Sequence, residues 1–118
     1  MMAHSESTIT LAYMNVHGQT GLDETKQILI EKFIKSYKID ILQCQEINIS
    51  EDSFKYCPII TSSFNIISNN AQNKYGTCSL VSNSFNVENF KNDVNGRIIA
   101  FDVANVAMFT CTPVQIII

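Results

Sequence analysis

The sequence has few basic side chains and only two histidines. Its 118 residues contain eight Lys and Arg against eleven Asp and Glu, which gives a net charge of −3 at pH 7. Because binding through a diffuse basic surface draws on clustered Lys and Arg, this composition argues against such a surface. A metal-mediated phosphate site stays compatible with it, since a divalent cation can be the largest local charge in a site. With only His4 and His17 available, a histidine-based metal site or triad has little support.

Paired cysteines, a signal peptide and long apolar runs are also lacking. The four cysteines lie far apart, with no C-x-x-C pair, so we expect reduced, half-buried thiols and regard a zinc site as the weaker alternative. No run approaches the roughly 20 apolar residues that a membrane span needs. No basic-then-apolar stretch opens the chain. These observations predict an intracellular protein, cytoplasmic or nuclear, with no membrane partner. The cysteines are Cys44, Cys57, Cys78 and Cys111.

The apolar content is that of a folded domain. Hydrophobic residues make up 46% of the sequence and charged residues 16%, which is too apolar for a disordered chain and about enough for one compact unit. Residues 1–7 are polar, and we expect a flexible N-terminus there. Residues 8–118 show no linker, internal repeat or low-complexity tract. The sequence therefore predicts a single domain over 8–118.

The first part of the chain has the pattern of a strand, a helix and a second strand. A run rich in β-branched and aromatic residues begins at Thr8 and stops at His17-Gly18, which is typical of a buried strand. A capping-box-like start at residues 20–23 and apolar residues at helical spacing then predict an amphipathic helix over Asp23–Tyr37. The run Ile39–Glu46 indicates another buried strand. A βαβ unit of this length predicts two parallel, neighbouring strands.

The second part has the pattern of antiparallel strands separated by Asn-rich turns. Residues 50–54 indicate a short helix or turn that ends before Pro58. The fold class is therefore α/β, a βαβ unit followed by a β-meander. The apolar runs that predict the later strands are Phe64–Ile67, Thr77–Val81, Ile98–Val103 and Val106–Cys111.

Two polar residues stand where the first two strands end. Asn15 closes the first strand and Glu46 closes the second. Because the carboxyl ends of parallel strands meet at one sheet edge, we expect these side chains to lie close enough to share a cation. A Glu supplies the hard oxygen that Mg²⁺ prefers, and an Asn can orient that carboxylate or a phosphate oxygen. Taken singly, a Glu at a strand end is usually a solvated carboxylate, and an Asn before a glycine turn is usually part of the turn.

Four sequence blocks follow one another along the chain: Asn15-Val16-x-Gly18, Asp40-Ile41-Leu42-x-x-Gln45-Glu46, Tyr75-Gly76-Thr77-Cys78-Ser79-Leu80-Val81 and Asp93-x-x-Gly96-Arg97-Ile98-Ile99. In this order they resemble the N-terminal part of the endonuclease/exonuclease/phosphatase family, the DNase I-like proteins. The resemblance covers about Thr8 to Pro113. The residues after Asn15, Gly18-Gln19-Thr20-Gly21-Leu22, are similar to those of the non-LTR retrotransposon endonuclease domains within that family.

The resemblance implies roles for particular residues. Glu46 matches the family's metal-ligating glutamate and Asn15 the asparagine near the metal and scissile phosphate, so both are candidate catalytic and metal-binding residues. The implied cofactor is Mg²⁺, with Mn²⁺ as a substitute, bound weakly because one carboxylate and one amide leave most of the coordination shell to water. Gly96 and Arg97 match a motif that we interpret as structural. His17 departs from the aspartate common among repair enzymes, and Cys111 stands where the family has tyrosine.

The resemblance also implies that this is one half of a DNase I-like α/β sandwich. The family's catalytic base and its late Asp-His pair come from a half that would follow Pro113, so we expect a truncated endonuclease-like domain, inactive alone, whose ancestor acted on nucleic acid. We expect one sheet with its helix, an uncovered apolar sheet face, and self-association through that face. The alternative is a non-catalytic protein-interaction module that uses the same half-fold surface. The substrate itself, DNA, RNA or a phosphorylated small molecule, stays open.

Overall fold

The chain forms two β-sheets and two helices. The computed structural model describes residues 9–16, 23–49, 53–70, 76–92, 99–103 and 106–110, the last of these for its backbone alone. A four-stranded sheet has the order β1-β2-β4-β3, and a three-stranded sheet has the order β5-β6-β7. The elements in chain order are β1 (Leu11–Asn15), α1 (Glu24–Tyr37), β2 (Ile41–Gln45), α2 (Pro58–Ser63), β3 (Phe64–Asn69), β4 (Thr77–Ser82), β5 (Val87–Asn92), β6 (Ile99–Val103) and β7 (Val106–Thr110).

The predicted βαβ unit is confirmed. β1 and β2 pair in parallel, with Leu11 opposite Ile41 and Asn15 opposite Gln45. Every residue of β2 is buried. β2 is a central strand, because β4 pairs with it antiparallel on the side away from β1. Its complete burial agrees with a strand that is covered on both faces.

Helix α1 begins and ends where its sequence dictates. The Asp23 side chain caps the first turn by accepting a hydrogen bond from the Lys26 backbone N–H at 2.8 Å. Lys38 adopts a left-handed conformation and donates its backbone N–H to the Ile34 carbonyl, which ends the helix. The buried residues Gln27, Ile30 and Ile34 form one face at helical spacing. The predicted start at Asp23 and end at Tyr37 are confirmed.

The turn predicted before Pro58 is confirmed at residues 53–56, while helix α2 and strand β5 were missed. Pro58 begins α2, because its missing N–H costs nothing in the first turn of a helix. Strand β5 escaped detection because all of its residues after Val87 are exposed, so no apolar alternation marks it.

Two apolar clusters lie on opposite faces of the four-stranded sheet. One face packs against α1, and its cluster includes Met14, Leu42 and Leu80 beside the helix residues Ile30 and Ile34.

On the other face, Ile41 and Val81 cluster with Ile99, Phe101 and Val103 of β6. The expectation of one sheet with an uncovered inner face was therefore wrong, because the second sheet covers that face. Burial of these side chains contributes about 1.5–3 kcal/mol each. Among the described residues, no helix has the length and apolarity to span a membrane.

Candidate functional site

Asn15 and Glu46 lie at the same edge of the four-stranded sheet. Asn15 is the last residue of β1 and stands opposite Gln45, the last residue of β2. The Val16 backbone N–H extends this pairing by donating to the Gln45 carbonyl at 3.0 Å. Glu46 follows Gln45 directly, so its backbone lies about one strand spacing, ~5 Å, and one residue rise, ~3 Å, from that of Asn15. The predicted adjacency of the strand ends is confirmed, while a shared cation stays a prediction.

Glu46 has a left-handed backbone conformation, with φ of 57°. Such a conformation costs a residue with a side chain roughly 1–2 kcal/mol. It also breaks the alternation of side chains along the chain. Cys44 and Ile47 both belong to the core cluster beside α1, although regular alternation would place residues three apart on opposite faces. Glu46 is therefore the inserted residue that shifts the pattern, and strain of this kind concentrates at functional sites.

A row of four buried polar residues crosses the sheet beside this edge. Asn15 stands opposite Gln45, Gln45 opposite Thr77, and Thr77 opposite Asn69. Residues opposite one another in paired strands project their side chains to the same side of the sheet. All four are less than 9% exposed. Buried polar side chains need hydrogen bonds to satisfy them, so a row of four is a more demanding filling for a sheet face than apolar residues.

The next row inward contains a buried amide that has no partner among the described residues. Gln43 stands opposite Ser79, and both are fully buried. Within the described part of the chain, neither the oxygen nor the nitrogen of the Gln43 amide has a hydrogen-bond partner, and the same holds for the Thr77 hydroxyl. Leaving such a group unsatisfied costs about 1–3 kcal/mol. The end of the sheet that carries Asn15 and Glu46 is thus built at the expense of stability.

Gly76 lets the loop after Glu46 dock onto the start of β4. The Gly76 N–H donates to the Asn48 side-chain oxygen at 2.9 Å, and its carbonyl accepts from the Ile47 N–H at 3.1 Å. A Cβ on Gly76 would overlap the carbonyl oxygen of Asn69 and lie 2.9 Å from Oδ1 of Asn48. Close backbone approach therefore explains the glycine of the resembled strand motif. The contact holds the segment that follows Glu46 in place.

Lys26 is a residue of this edge that the sequence analysis missed. Its ammonium donates to the Val16 carbonyl at 2.8 Å, directly after Asn15. Lys26 is part-buried in the first turn of α1, where the helix dipole disfavours a cation. A lysine in the first turn of the helix that follows the Asn15 strand was the signal that could have revealed it. The edge therefore combines a carboxylate, buried amides and a fixed ammonium.

The described cysteines do not form a metal site. Cys44, Cys57 and Cys78 are free thiols, and all three are fully buried, deeper than expected. Burial raises the pKa of Cys44 to about 12 and moves that of Cys78 well above its ordinary value. Burial, with a smaller effect of Glu31, raises the pKa of Cys57 to about 11. Among the described residues, no three His, Cys, Asp or Glu side chains come together to hold a metal.

Several residues of the family resemblance lie outside the described part of the chain. They include His17, Gly18, Tyr75, Asp93, Gly96, Arg97, Ile98 and Cys111, and the rest of the segment 18–22. The roles predicted for them stay predictions.

Comparison with known proteins rests on structure alone. No family model matches the sequence, and no curated protein matches it. Solved structures are similar to this chain, among them the following three. A truncated TDP2 from Caenorhabditis elegans gives a TM-score of 0.58 at 22% identity, over 86% of this chain and 43% of that one. An AP endonuclease from Archaeoglobus fulgidus gives 0.62 at 15% identity, over 86% and 40%. The 3′-5′ exonuclease NExo from Neisseria meningitidis gives 0.60 at 18% identity, over 84% and 39%.

All three structures have DNase I-like folds. The chain forms one half of a DNase I-like α/β sandwich. It spans about two-fifths of the length of these neighbours, in agreement with the expected half. At identities below a quarter, the likeness establishes the fold and leaves the activity to be argued from the site.

Proposed function

We propose that the β1–β2 edge is the metal-binding half of a site for phosphodiester hydrolysis. The observation that carries the proposal is the parallel register, which puts buried Asn15 beside the end of β2, where Glu46 follows in a strained left-handed conformation. Open α/β sheets place their ligands at this edge. Strain on a carboxylate at that place is a cost to folding that a ligand site would explain.

The donor set suits a weakly held hard cation. Glu46 would supply a carboxylate oxygen and Asn15 an amide oxygen to Mg²⁺ or Mn²⁺, with water completing the shell. Among the described residues, no three His, Cys, Asp or Glu side chains come together to hold a metal more firmly. Such an ion supplies charge neutralisation to a phosphodiester in its transition state.

The chain's own residues would hold and orient the groups at this edge. Lys26 ties the carboxyl end of β1 to the first turn of α1, because its ammonium binds the Val16 carbonyl. Gly76 and Asn48 hold the segment after Glu46 against β4. Both contacts fix the backbone next to the two candidate ligands, Asn15 and Glu46. Preorganisation of this kind positions charge for catalysis.

Hydrolysis also needs a base for water and a group for the leaving oxygen. The family resemblance places both in sequence that would follow Pro113. We therefore propose that these 118 residues bind metal but do not turn over a phosphodiester by themselves. Loss of partners that act as a unit commonly lowers rates by several orders of magnitude.

The substrate class that we propose is nucleic acid, with a retroelement-type endonuclease as the longer ancestor. Support comes from the residues after Asn15 and from the names of the structural neighbours, an AP endonuclease and a 3′-5′ exonuclease. With a net charge of −3, phosphate contact would depend on the metal more than on a basic surface. We place this function inside the cell, in the cytoplasm or nucleus.

Calorimetric titration with Mg²⁺ and Mn²⁺ tests the metal site. We expect millimolar binding by the wild type and none by Glu46→Ala, because the one carboxylate of the proposed donor set is then gone. Glu88→Ala is the matched control, since Glu88 is an exposed carboxylate on β5, and it should bind as the wild type does. Binding that survives Glu46→Ala would place the metal elsewhere. An absence of any binding would favour the interaction-module alternative.

A plasmid-nicking assay with Mg²⁺ or Mn²⁺ tests the missing activity. We expect no nicking by the wild type. Cys111→Tyr alone should not restore it, because the catalytic base and the leaving-group acid that the resemblance implies would still be missing from these 118 residues. Mg²⁺-dependent nicking that Glu46→Ala abolishes would contradict the proposed inactivity while supporting the site.

A further inference from the structure

Strand β3 presents unpaired backbone groups along one side. It is the last strand of its sheet and pairs only with β4. The Asn83 N–H donates to the Ser63 carbonyl, so residues 63, 65, 67 and 69 direct their peptide groups to β4, and residues 64, 66 and 68 direct theirs away from it. The Phe64 N–H is used by the Ile60 carbonyl of α2. The peptide groups of Ile66 and Ser68 have no hydrogen-bond partner among the described residues.

The facing edge strand, β5, is protected against pairing, and β3 is not. In β5 the register shifts between Glu88 and Lys91, and Asn89 adopts a left-handed conformation that a 2.7 Å hydrogen bond to Asp102 holds in place. A bulge and charged residues are the usual devices that prevent edge-to-edge association. β3, with the sequence FNIISN, contains no charge and no proline, and its register with β4 is regular. An edge without these devices is suited to pairing with another strand.

The edge formed by β1 is less accessible. Met14, Asn15 and Val16 are all buried at the carboxyl end of that strand. Across the middle of β3, by contrast, Asn65 and Ile66 are exposed, and the Ile66 side chain is 38% exposed. Of these edges, β3 therefore offers both open backbone groups and an open apolar side chain.

We propose that β3 pairs with β3 of a second copy of this chain, antiparallel, about a two-fold axis at Ile66. A two-fold axis perpendicular to the sheet keeps the same face of each copy on the same side. Because side chains alternate between the faces, this requires Ile66 to pair with its own copy, or with a residue an even number of positions away. With Ile66 on the axis, its N–H and C=O bond those of its copy. The Ser68 N–H reaches the Phe64 carbonyl of the second copy, which leaves out the Phe64 N–H that α2 already uses.

The groove beside β3 supports this partner. An open groove of about 790 Å³ runs between the edges of β3 and β5, and its apolar lining comes from Ile66, Ile67, Phe85, Val87 and Phe90. In the proposed register, Ile67 of the second copy stands opposite Asn65, on the side of the sheet where this groove lies. Self-pairing brings each side chain close to a copy of the same strand, so any charge would repel its own copy, and β3 carries none.

The interface that results is small. One strand pair and one groove fall at the low end of specific interfaces, which predicts a reversible dimer that forms at high protein concentration. The proposed axis lies at Ile66 in the middle of β3, whereas Asn69, at the far end of the strand, is its residue in the polar row beside Glu46. The dimer test therefore changes no residue of the proposed metal site.

Sedimentation of the full chain over a range of concentrations tests the dimer. We expect the wild type to pass from monomer to dimer as concentration rises. Ile66→Lys should raise the dimer dissociation constant tenfold or more, as two ammonium groups would meet on the axis. Ser68→Pro should do the same by removing an outward N–H that β4 does not use. Leu29→Lys is the matched control, since Leu29 is an exposed apolar residue of α1, 49% exposed, and it should leave the dimer unchanged.

Disulfide trapping tests the register. With oxidised glutathione as the oxidant, the thiols that Ile66→Cys introduces in the two copies should form one intermolecular disulfide and reduce the glutathione disulfide to two thiols. Leu29→Cys and the wild type should stay uncrosslinked. A wild type that is monomeric at every concentration would overturn the proposal. So would a dimer that survives Ile66→Lys, or one that Leu29→Lys removes equally.

Discussion

The two ends of one sheet face differ in what fills them. At the end where β2 begins, Ile41 and Val81 pack against Phe101 and Val103 of the second sheet. At the end where β2 finishes, the same face carries Gln43, Gln45 and the residues opposite them on β1 and β4. These residues are polar and buried, apart from Tyr13 opposite Gln43, which is partly exposed. A sheet face of alternating apolar residues needs no explanation beyond packing. The polar end needs a further explanation, because the Gln43 amide and the Thr77 hydroxyl have no partner among the described residues and so oppose folding.

This difference shows how the chain divides stability and site. The apolar end supplies the burial that holds the two sheets together, while the polar end carries amide and hydroxyl groups without a partner among the described residues, and a left-handed Glu46. Departures from local consistency in a folded chain tend to mark functional positions. They coincide here with the sheet edge at which ligands bind in open α/β folds.

The largest effect should come from the apolar end. Phe101→Ala is expected to lower the free energy of unfolding by about 3–5 kcal/mol, since Phe101 is a buried aromatic residue at the centre of the inter-sheet cluster. Urea unfolding followed by circular dichroism measures this. Phe90→Ala, at a phenylalanine that is 46% exposed, should cost much less, below about 1 kcal/mol. Equal losses for the two variants would mean that the second sheet does not depend on this cluster.

Much of the first sheet could be predicted from the sequence, because local signals there agree with the final structure. Apolar β-branched runs marked β1, β2 and β4, and Asp23 marked the helix start that the capping bond confirms. The second sheet could not be predicted as a covering layer. Its strand β5 has no apolar alternation and is held by pairing with β6, a contact that depends on the tertiary fold.

The candidate site was predictable only in part. Asn15 and Glu46 stand out because they are polar residues at the ends of buried strands. Lys26 could not be identified in the same way, because its importance depends on a 2.8 Å contact with Val16 across the turn that joins β1 to α1. The left-handed conformation of Glu46 was equally hidden, since no glycine or asparagine marks that position.

A smaller effect, of opposite sign, should come from the polar end. Gln43→Met is expected to raise the free energy of unfolding by about 1 kcal/mol, because methionine keeps the volume while removing an amide that has no partner in the described part of the chain.

Gln27→Met is the matched control for this change. The Gln27 side-chain oxygen accepts the Tyr56 N–H at 2.8 Å, so the same substitution should cost about 1–2 kcal/mol there. Urea unfolding of both variants decides the comparison. If Gln43→Met were as damaging as Gln27→Met, the Gln43 amide would have to be satisfied in solution, and the polar end would not oppose folding as argued.

The smallest effect separates strain from ligand binding at Glu46. In both Glu46→Gly and Glu46→Ala the carboxylate is lost, but only glycine relieves the left-handed backbone, where φ is 57°. The free energy of unfolding of Glu46→Gly should therefore be about 1 kcal/mol higher than that of Glu46→Ala. The two variants should be equally defective in Mg²⁺ and Mn²⁺ binding, since both lack the carboxylate. Thermal unfolding and calorimetry on the same samples measure the two quantities.

If Glu46→Ala matched Glu46→Gly in stability, the left-handed conformation would carry no cost, and its coincidence with the candidate ligand would lose its weight as evidence for a site. If the two variants differed in stability but the wild type bound no metal, the backbone strain at Glu46 would be real. Metal binding would then no longer explain it.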